Sequence, residues 1–350
     1  MLHRPCLRSV VTPQNSTGHV HFVSPEAPKA HLRWKPRLPL SPLTATPPEP
    51  SRLSAGSSGL MPRTASASIP PTRPMEETPA AYRTGSAPIL RWAGSKRKLL
   101  PRIAAYVPAC GKRYIEPFAG SACLFFHLSP RRALLGDINR DLIQAYQVVR
   151  NRPTAVAAAL AEMPPTEAFY YFLRAQLPQH LRPVEQAARF IYLNRFCFNG
   201  VFRTNKNGAF NVPRGTRTGA MPTADAIRHA SRALRNATLV AGDFENCLRS
   251  IAPGDFVYLD PPYAKRERPG FGEYGYNVFA EADLDRLISS LRMIESCGAT
   301  FLLSYSYSRR TRDMFKSWRT RTLLVRRHVA GFSQHRGYVR EILVTNVESK

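Results

Sequence analysis

The chain has 350 residues, 50 of them Lys or Arg and 24 Asp or Glu, for a formal charge of +26. That length holds one large domain or two ordinary ones with a sizeable core, and that charge predicts a polyanionic partner, nucleic acid above all. No run approaches the roughly 18 apolar residues of a membrane-spanning helix, and six scattered cysteines without a C-x-x-C pair argue against a zinc site or disulfide framework and for a reducing compartment.

Residues 1–85 carry 15 of the 31 prolines and only four acids, Glu26, Glu49, Glu76 and Glu77. Too little can be buried there to offset chain entropy, so a disordered, proline-rich basic tail is expected. Its acid-free beginning suits an organelle transit signal, but the prolines break the amphipathic helix such a signal needs. A natural start at Met61 or Met75 would equally explain the tail.

Order is expected from residue 86. Arg91-Trp92-Ala93-Gly94-Ser95-Lys96 reads as a small-residue turn before a basic helix start, able to hold a carboxylate or phosphate. Tyr114 to Glu116, the turn Pro117-Phe118-Ala119-Gly120 and the apolar run Cys123 to Leu128 make a strand, glycine turn and helix, the opening unit of a Rossmann-like sheet. A second apolar run ends at Asp137, placed to accept ribose hydroxyls. The pair points to a nucleoside-bearing cofactor, and the missing G-x-G-x-x-G pattern disfavours NAD.

Residues 151–236 break this rhythm and read as an insertion. Helical spacing covers Ala155 to Met163, Thr166 to Gln176 and Val184 to Leu193. The stretch Asn194 to Gly215 interleaves aromatic and basic residues around Asn207-Gly208, a favoured type I′ turn pair, which predicts a β-hairpin suited to bases and phosphates together. The strand rhythm then resumes with Ala237 to Val240 leading to Asp243, Phe256 to Leu259 leading to Asp260, and Thr300 to Leu303. A helix is expected over Asp283 to Ser296, and Val339 to Thr345 closes the sheet. Residues 86–150 and 237–350 thus form one doubly wound α/β domain.

The run ending in Asp260-Pro261-Pro262-Tyr263 carries the chemistry. A buried strand that stops at an acid and a rigid proline pair opens where ligands sit in α/β sheets. The carboxylate and the Pro261 carbonyl can both accept hydrogen bonds from one amino group, and Tyr263 offers a flat face. An exocyclic amine on a nucleobase fits such a loop.

Taken together, the Arg91-to-Lys96 turn, Ile115 to Gly120, Gly136-Asp137-Ile138-Asn139, Asn194 to Gly215, Asp260 to Tyr263 and Glu341-Ile342-Leu343-Val344-Thr345-Asn346 resemble the Dam-like family of DNA adenine-N6 methyltransferases. The likeness runs from about residue 88 to 346. It implies a Rossmann-like methyltransferase fold with an inserted helical and β-hairpin target-recognition domain, and S-adenosylmethionine as methyl donor. Trp92, Lys96, Phe118, Gly120, Asp137, Asp243 and Asp260 are the cofactor-binding residues it implies, with Asp260, Pro261, Pro262 and Tyr263 as the catalytic set. Phe198 matches an aromatic wedge, Asn199 its neighbour, Arg203 a base-reading arginine, and Arg91 a basic residue at the DNA edge. Two departures stand out: Ser95 where many relatives carry glycine, and Ala122 where glycine is often found.

The same resemblance implies site-specific methylation of double-stranded DNA by direct transfer to a flipped adenine, with no metal. It also implies a monomer in a bacterial or phage-infected cytoplasm, with a cognate restriction enzyme as an optional companion. A cytosine-N4 methyltransferase would use a similar loop, usually with Ser at the position of Asp260. The basic charge also suits an RNA methyltransferase, or a DNA-binding relative without catalysis. Carbon methylation of cytosine would need a Pro-Cys nucleophile, and the one such pair, Pro5-Cys6, lies in the tail.

Overall fold

The computed structural model describes residues 85–109, 111–205, 208–263, 279–326 and 338–347. The tail expectation, except at Gly85, and residues Cys6, Cys110 and Asn207 lie outside them.

In chain order, a 3-10 turn at Arg97–Leu99 runs into the short helix α1 (Leu100–Ala104), and β1 (Tyr114–Glu116) is followed by α2 (Cys123–Leu128). Then come β2 (Ala133–Asp137) and five helices: α3 (Arg140–Asn151), α4 (Pro153–Ala161), α5 (Glu167–Ala175), α6 (Pro183–Phe196) and α7 (Ala224–Leu234). The remainder is β3 (Ala237–Ala241), α8 (Phe244–Leu248), β4 (Phe256–Leu259), α9 (Glu281–Ser296), β5 (Thr300–Ser306), α10 (Arg309–Met314), β6 (Arg319–Arg326) and β7 (Tyr338–Thr345).

The seven strands form one sheet in the order β3-β2-β1-β4-β5-β7-β6. The first five are parallel, whereas β7 runs antiparallel to both β5 and β6. The chain builds outward from β1 through β2 to β3, then returns to the middle and builds the other way from β4. Strand order therefore reverses between β1 and β4, and the crevice beyond their carboxyl ends is where an α/β sheet binds ligands. Asp260 follows the last residue of β4 directly.

Alternation along the central strands sends two sets of side chains to two layers. Ile115, Val257, Leu259, Phe301, Leu303, Ile342 and Val344 pack with Phe244 and Leu248 of α8 and Leu284, Leu287, Leu291 and Ile294 of α9. The opposite face is more polar. It carries Tyr114 and Glu116 of β1, with the Tyr114 hydroxyl donating to Glu116 Oε2 at 2.9 Å, and Phe125 of α2 packs its ring near Tyr114. No described helix is long and apolar enough to cross a membrane.

Several expectations are amended. The helices α3, α7, α8 and α10 and the edge strand β6 were not anticipated. Within Asn194 to Gly215 the backbone doubles back through isolated bridges, Cys197 with Arg214 and Thr204 with Phe210, rather than a continuous ladder. The Asn205 amide donates to the Ala209 carbonyl at 2.8 Å and the Gly208 amide to the Asn205 carbonyl at 3.0 Å, with Gly208 left-handed at φ +75°. The turn expected at Asn207-Gly208 falls partly on residues outside the described ones.

Candidate active site

Asp260 is reached from an element far away in sequence. The turn ahead of α1 brings Lys96, 6% exposed, to within 2.7 Å of Asp260 Oδ1. The same ammonium donates to the Gly94 carbonyl at 3.1 Å and the Tyr263 hydroxyl at 3.4 Å, and lies 4.0 Å from Glu341 Oε1. Tyr263 in turn donates to Glu341 Oε1 at 3.0 Å and sets its ring edge-on to Tyr305, 5.3 Å between centroids.

Charge in this cluster is governed by burial and by Lys96. Burial pushes the Asp260 carboxyl up to about 6, Lys96 opposes that rise, and the nearby Glu341 adds to it. For Lys96 burial alone would favour the neutral form, but Asp260, Tyr263 and Glu341 together hold it well above its ordinary value. The site at neutral pH is thus an ammonium shared among anionic and phenolic oxygens. It leaves Asp260 ionised and able to accept more hydrogen bonds.

A second group of the expected site residues stands at and just beyond the ends of β1, β2 and β3. Gly120, at φ +45°, allows the Trp92 ring to lie against the turn: a Cβ there would stand 2.7 Å from the indole. Its amide donates to Asp137 Oδ2 at 2.9 Å, and its carbonyl accepts from the buried Tyr146 hydroxyl at 2.8 Å. Asp137 Oδ1 takes the Asn139 amide at 2.9 Å, and burial raises its carboxyl to about 6 against these two bonds. Asp243 caps α8 through the Glu245 amide and accepts from Arg286 at 2.7 Å. Phe118 stacks on Phe244, centroids 5.2 Å apart, with Phe279 beyond.

The residues matched to DNA contacts gather partly at the same edge. Arg91 is stapled by Asn194, whose carbonyl oxygen accepts from the Arg91 amide at 2.8 Å and whose amide donates to the Arg91 carbonyl at 2.5 Å. The Arg91 guanidinium donates to the carbonyls of Arg195 and Arg217 at 3.0 and 3.2 Å, so it also braces the inserted segment. The turn Phe198-Asn199-Gly200 leans on it: Gly200 sits at φ +67° and a Cβ there would come 2.9 Å from Arg91 Cβ. Phe198 is exposed and Asn199 is left-handed at φ +55°. Arg203 stands farther along the excursion, tied by Nε to Asn211 Oδ1 at 3.0 Å.

Known proteins resemble this chain over most of its length. The family described as D12 class N6 adenine-specific DNA methyltransferase matches residues 92–330. The Type II methyltransferase M1.LlaDCHI of Lactococcus lactis subsp. cremoris is 32% identical over 269 residues, covering 74% of this chain and 95% of that protein. The DNA adenine methylases of Haemophilus influenzae and Serratia marcescens are 29% and 31% identical, each over 73% of this chain and 92% and 96% of their own length. The chain belongs to the D12 class of adenine-N6 DNA methyltransferases.

Sequence reasoning about this methyltransferase missed several residues that shape the site. Asn194 and Phe202 belong to a quoted stretch without an assigned role, yet Asn194 staples Arg91 and Phe202 stacks on Trp92 at 6.3 Å. Arg286 pins Asp243 while lying over the Phe244 ring. Tyr146 supports the glycine turn. An acid opening an apolar run was the available signal for Glu341. Nothing local distinguishes the others.

The two departures from relatives have different consequences in this methyltransferase. Ser95 is not among the residues with positive φ, so no glycine is needed there. Ala122, fully buried, adopts φ +49°, ψ +41°, a left-handed state that costs an L-residue about 1–2 kcal/mol. An ordinary buried Ala-to-Gly change costs about 1 kcal/mol. Here Ala122→Gly is expected to be neutral or stabilising by up to about 1 kcal/mol. Urea unfolding measures this, and a loss above about 1 kcal/mol contradicts it.

Proposed function

We propose that this methyltransferase transfers a methyl group from S-adenosylmethionine directly to N6 of an adenine flipped out of double-stranded DNA at a specific sequence. One observation carries the reading: Asp260, with the Pro261 carbonyl beside it, stands at the strand-order reversal between β1 and β4. Adenine N6 is a poor nucleophile because its lone pair is delocalised into the ring. A carboxylate and a rigid carbonyl that each accept one N6 hydrogen favour the pyramidal amine and direct its lone pair out of the ring plane. Tyr263 offers the flipped base a ring face, offsetting the few kcal/mol of unstacking.

The residues at the ends of β1 to β3 fit the donor. Gly120 lets the Trp92 ring lie against the turn, where a Cβ would stand 2.7 Å from the indole, and the ring would flank the donor there. Asp137, held by two backbone amides, would accept ribose hydroxyls with its remaining lone pairs, and Asp243 would face the adenine, with Phe118 beside it. When bound, the donor supplies an electrophilic sulfonium methyl. The exposed Phe198 and its neighbour Asn199 would occupy the gap left by the base, with Arg91 at the DNA edge and Arg203 reading a base. The inserted residues 151–236 then serve target recognition, and the reading takes bacterial or phage DNA as the substrate, a monomer as the acting unit and a restriction enzyme as an optional companion.

The test is methylation of duplex DNA with tritiated donor, followed by digestion to nucleosides. Label is expected in N6-methyl-2′-deoxyadenosine, with far less on RNA. Label in N4-methyl-2′-deoxycytidine, or equal labelling of RNA, overturns the reading.

A further inference from the structure

Glu341 is an acid where the pattern calls for a hydrophobe. It lies in β7, paired in register with Ser306 of β5 and Leu323 of β6, and is only 5% exposed. Burying a carboxylate costs several kcal/mol unless charge and hydrogen bonds compensate. What it meets is the active site: Oε1 accepts the Tyr263 hydroxyl and stands 4.0 Å from Lys96 Nζ, while Oε2 is buried without a hydrogen-bond partner.

We propose that Glu341 is a positioning residue for methyl transfer, which shares Lys96 with Asp260 and fixes Tyr263, so that Asp260 remains a strong acceptor for the N6 amine. The proposal rests on the assignment of Asp260 as that acceptor. Because the Tyr263 proton is committed to Glu341, the phenolic oxygen is left to accept from Lys96 at 3.4 Å. The ammonium is therefore divided among Asp260, Tyr263 and the Gly94 carbonyl, with Glu341 Oε1 4.0 Å away as a further anion. An ammonium paired with Asp260 alone would neutralise that carboxylate more completely and weaken it as an acceptor. Glu341 adds a second negative charge nearby, which raises the proton affinity of Asp260. Among the described residues, Tyr258 from β4, Glu116 from β1 and Cys123 from α2 also face this cluster, and all three feel the Asp260 charge.

The substitution E341Q keeps size and an acceptor for Tyr263 while removing the charge. Steady-state kinetics on duplex DNA across pH are expected to show kcat lowered on the order of tenfold with KM for DNA little changed. The acid limb of the kcat profile is expected at lower pH, since Asp260 loses a like-charged neighbour. E341D restores part of kcat and returns the limb toward its wild-type position. Wild-type kcat in E341Q overturns the proposal, as does a lowered kcat with an unmoved acid limb, the sign of a merely structural role. Asp260→Asn is measured beside it. Inactive Asp260→Asn with unchanged E341Q overturns the proposal alone, whereas near wild-type Asp260→Asn overturns the underlying assignment and the proposal with it.

Discussion

Replacing Asp260 by alanine is expected to lower methyl incorporation by about 100- to 10,000-fold, the range seen when a group acting on the reacting atoms is removed, while duplex binding stays within a few-fold of wild type. In the proposed reading the carboxylate accepts an N6 hydrogen, and alanine offers nothing in its place. DNA affinity is expected instead from phosphate contacts made by a chain of charge +26. A tritiated-methyl assay beside a gel-shift titration separates the two quantities. Alanine also strands Lys96, although Glu341 at 4.0 Å gives the ammonium a second anion, so the variant is expected to fold with reduced stability. Near wild-type incorporation would remove Asp260 from the chemistry.

Removing the cation acts through protonation. In wild type, Asp260 titrates near 6, so kcat is expected to rise as pH increases through about 6. Lys96→Met deletes the charge that opposes this upward shift and leaves Asp260 and Glu341 facing each other. The acid limb therefore moves upward, activity at pH 7 falls at least about tenfold, and part of it returns at alkaline pH. The stability sign is separate. A carboxyl whose folded pKa lies above its unfolded value contributes stability at low pH that is lost as pH rises through the folded pKa. The melting deficit of Lys96→Met is thus expected to widen from pH 5 to pH 8, reaching about 3 kcal/mol once Asp260 is ionised. A deficit that shrinks over this range contradicts the account.

The parallel half of the sheet was legible because buried central strands leave short apolar runs that stop at a polar residue, as at Asp137 and Asp260. β6 was not, because an edge strand need not be apolar: Arg319, Arg321 and Arg326 punctuate it. α10, Arg-Arg-Thr-Arg-Asp-Met, has no apolar stripe to announce it. In the site, Asp260, Asp137 and Gly120 stand at strand ends, where sequence marks them. Their partners are another matter. Lys96 meets Asp260 across 164 positions and Tyr263 meets Glu341 across 78, and only the sheet order brings such pairs together. The family resemblance supplied roles for Trp92, Phe198 and Arg203 that composition and spacing do not give.

The buried pair joins two parts of the molecule with different mechanical support. Asp260 follows β4, which is flanked by β1 and β5 in the middle of the sheet. Lys96 rides on a three-residue 3-10 turn and a five-residue helix, neither with a side-chain cap, held to the body in part by Asn194. Proteins open in cooperative pieces, and short pieces with few buried contacts open at lower free energy than central strands. Opening of this segment would withdraw Lys96 from Asp260 while the sheet stays closed, so the enzyme can lose its chemistry well before it loses its fold.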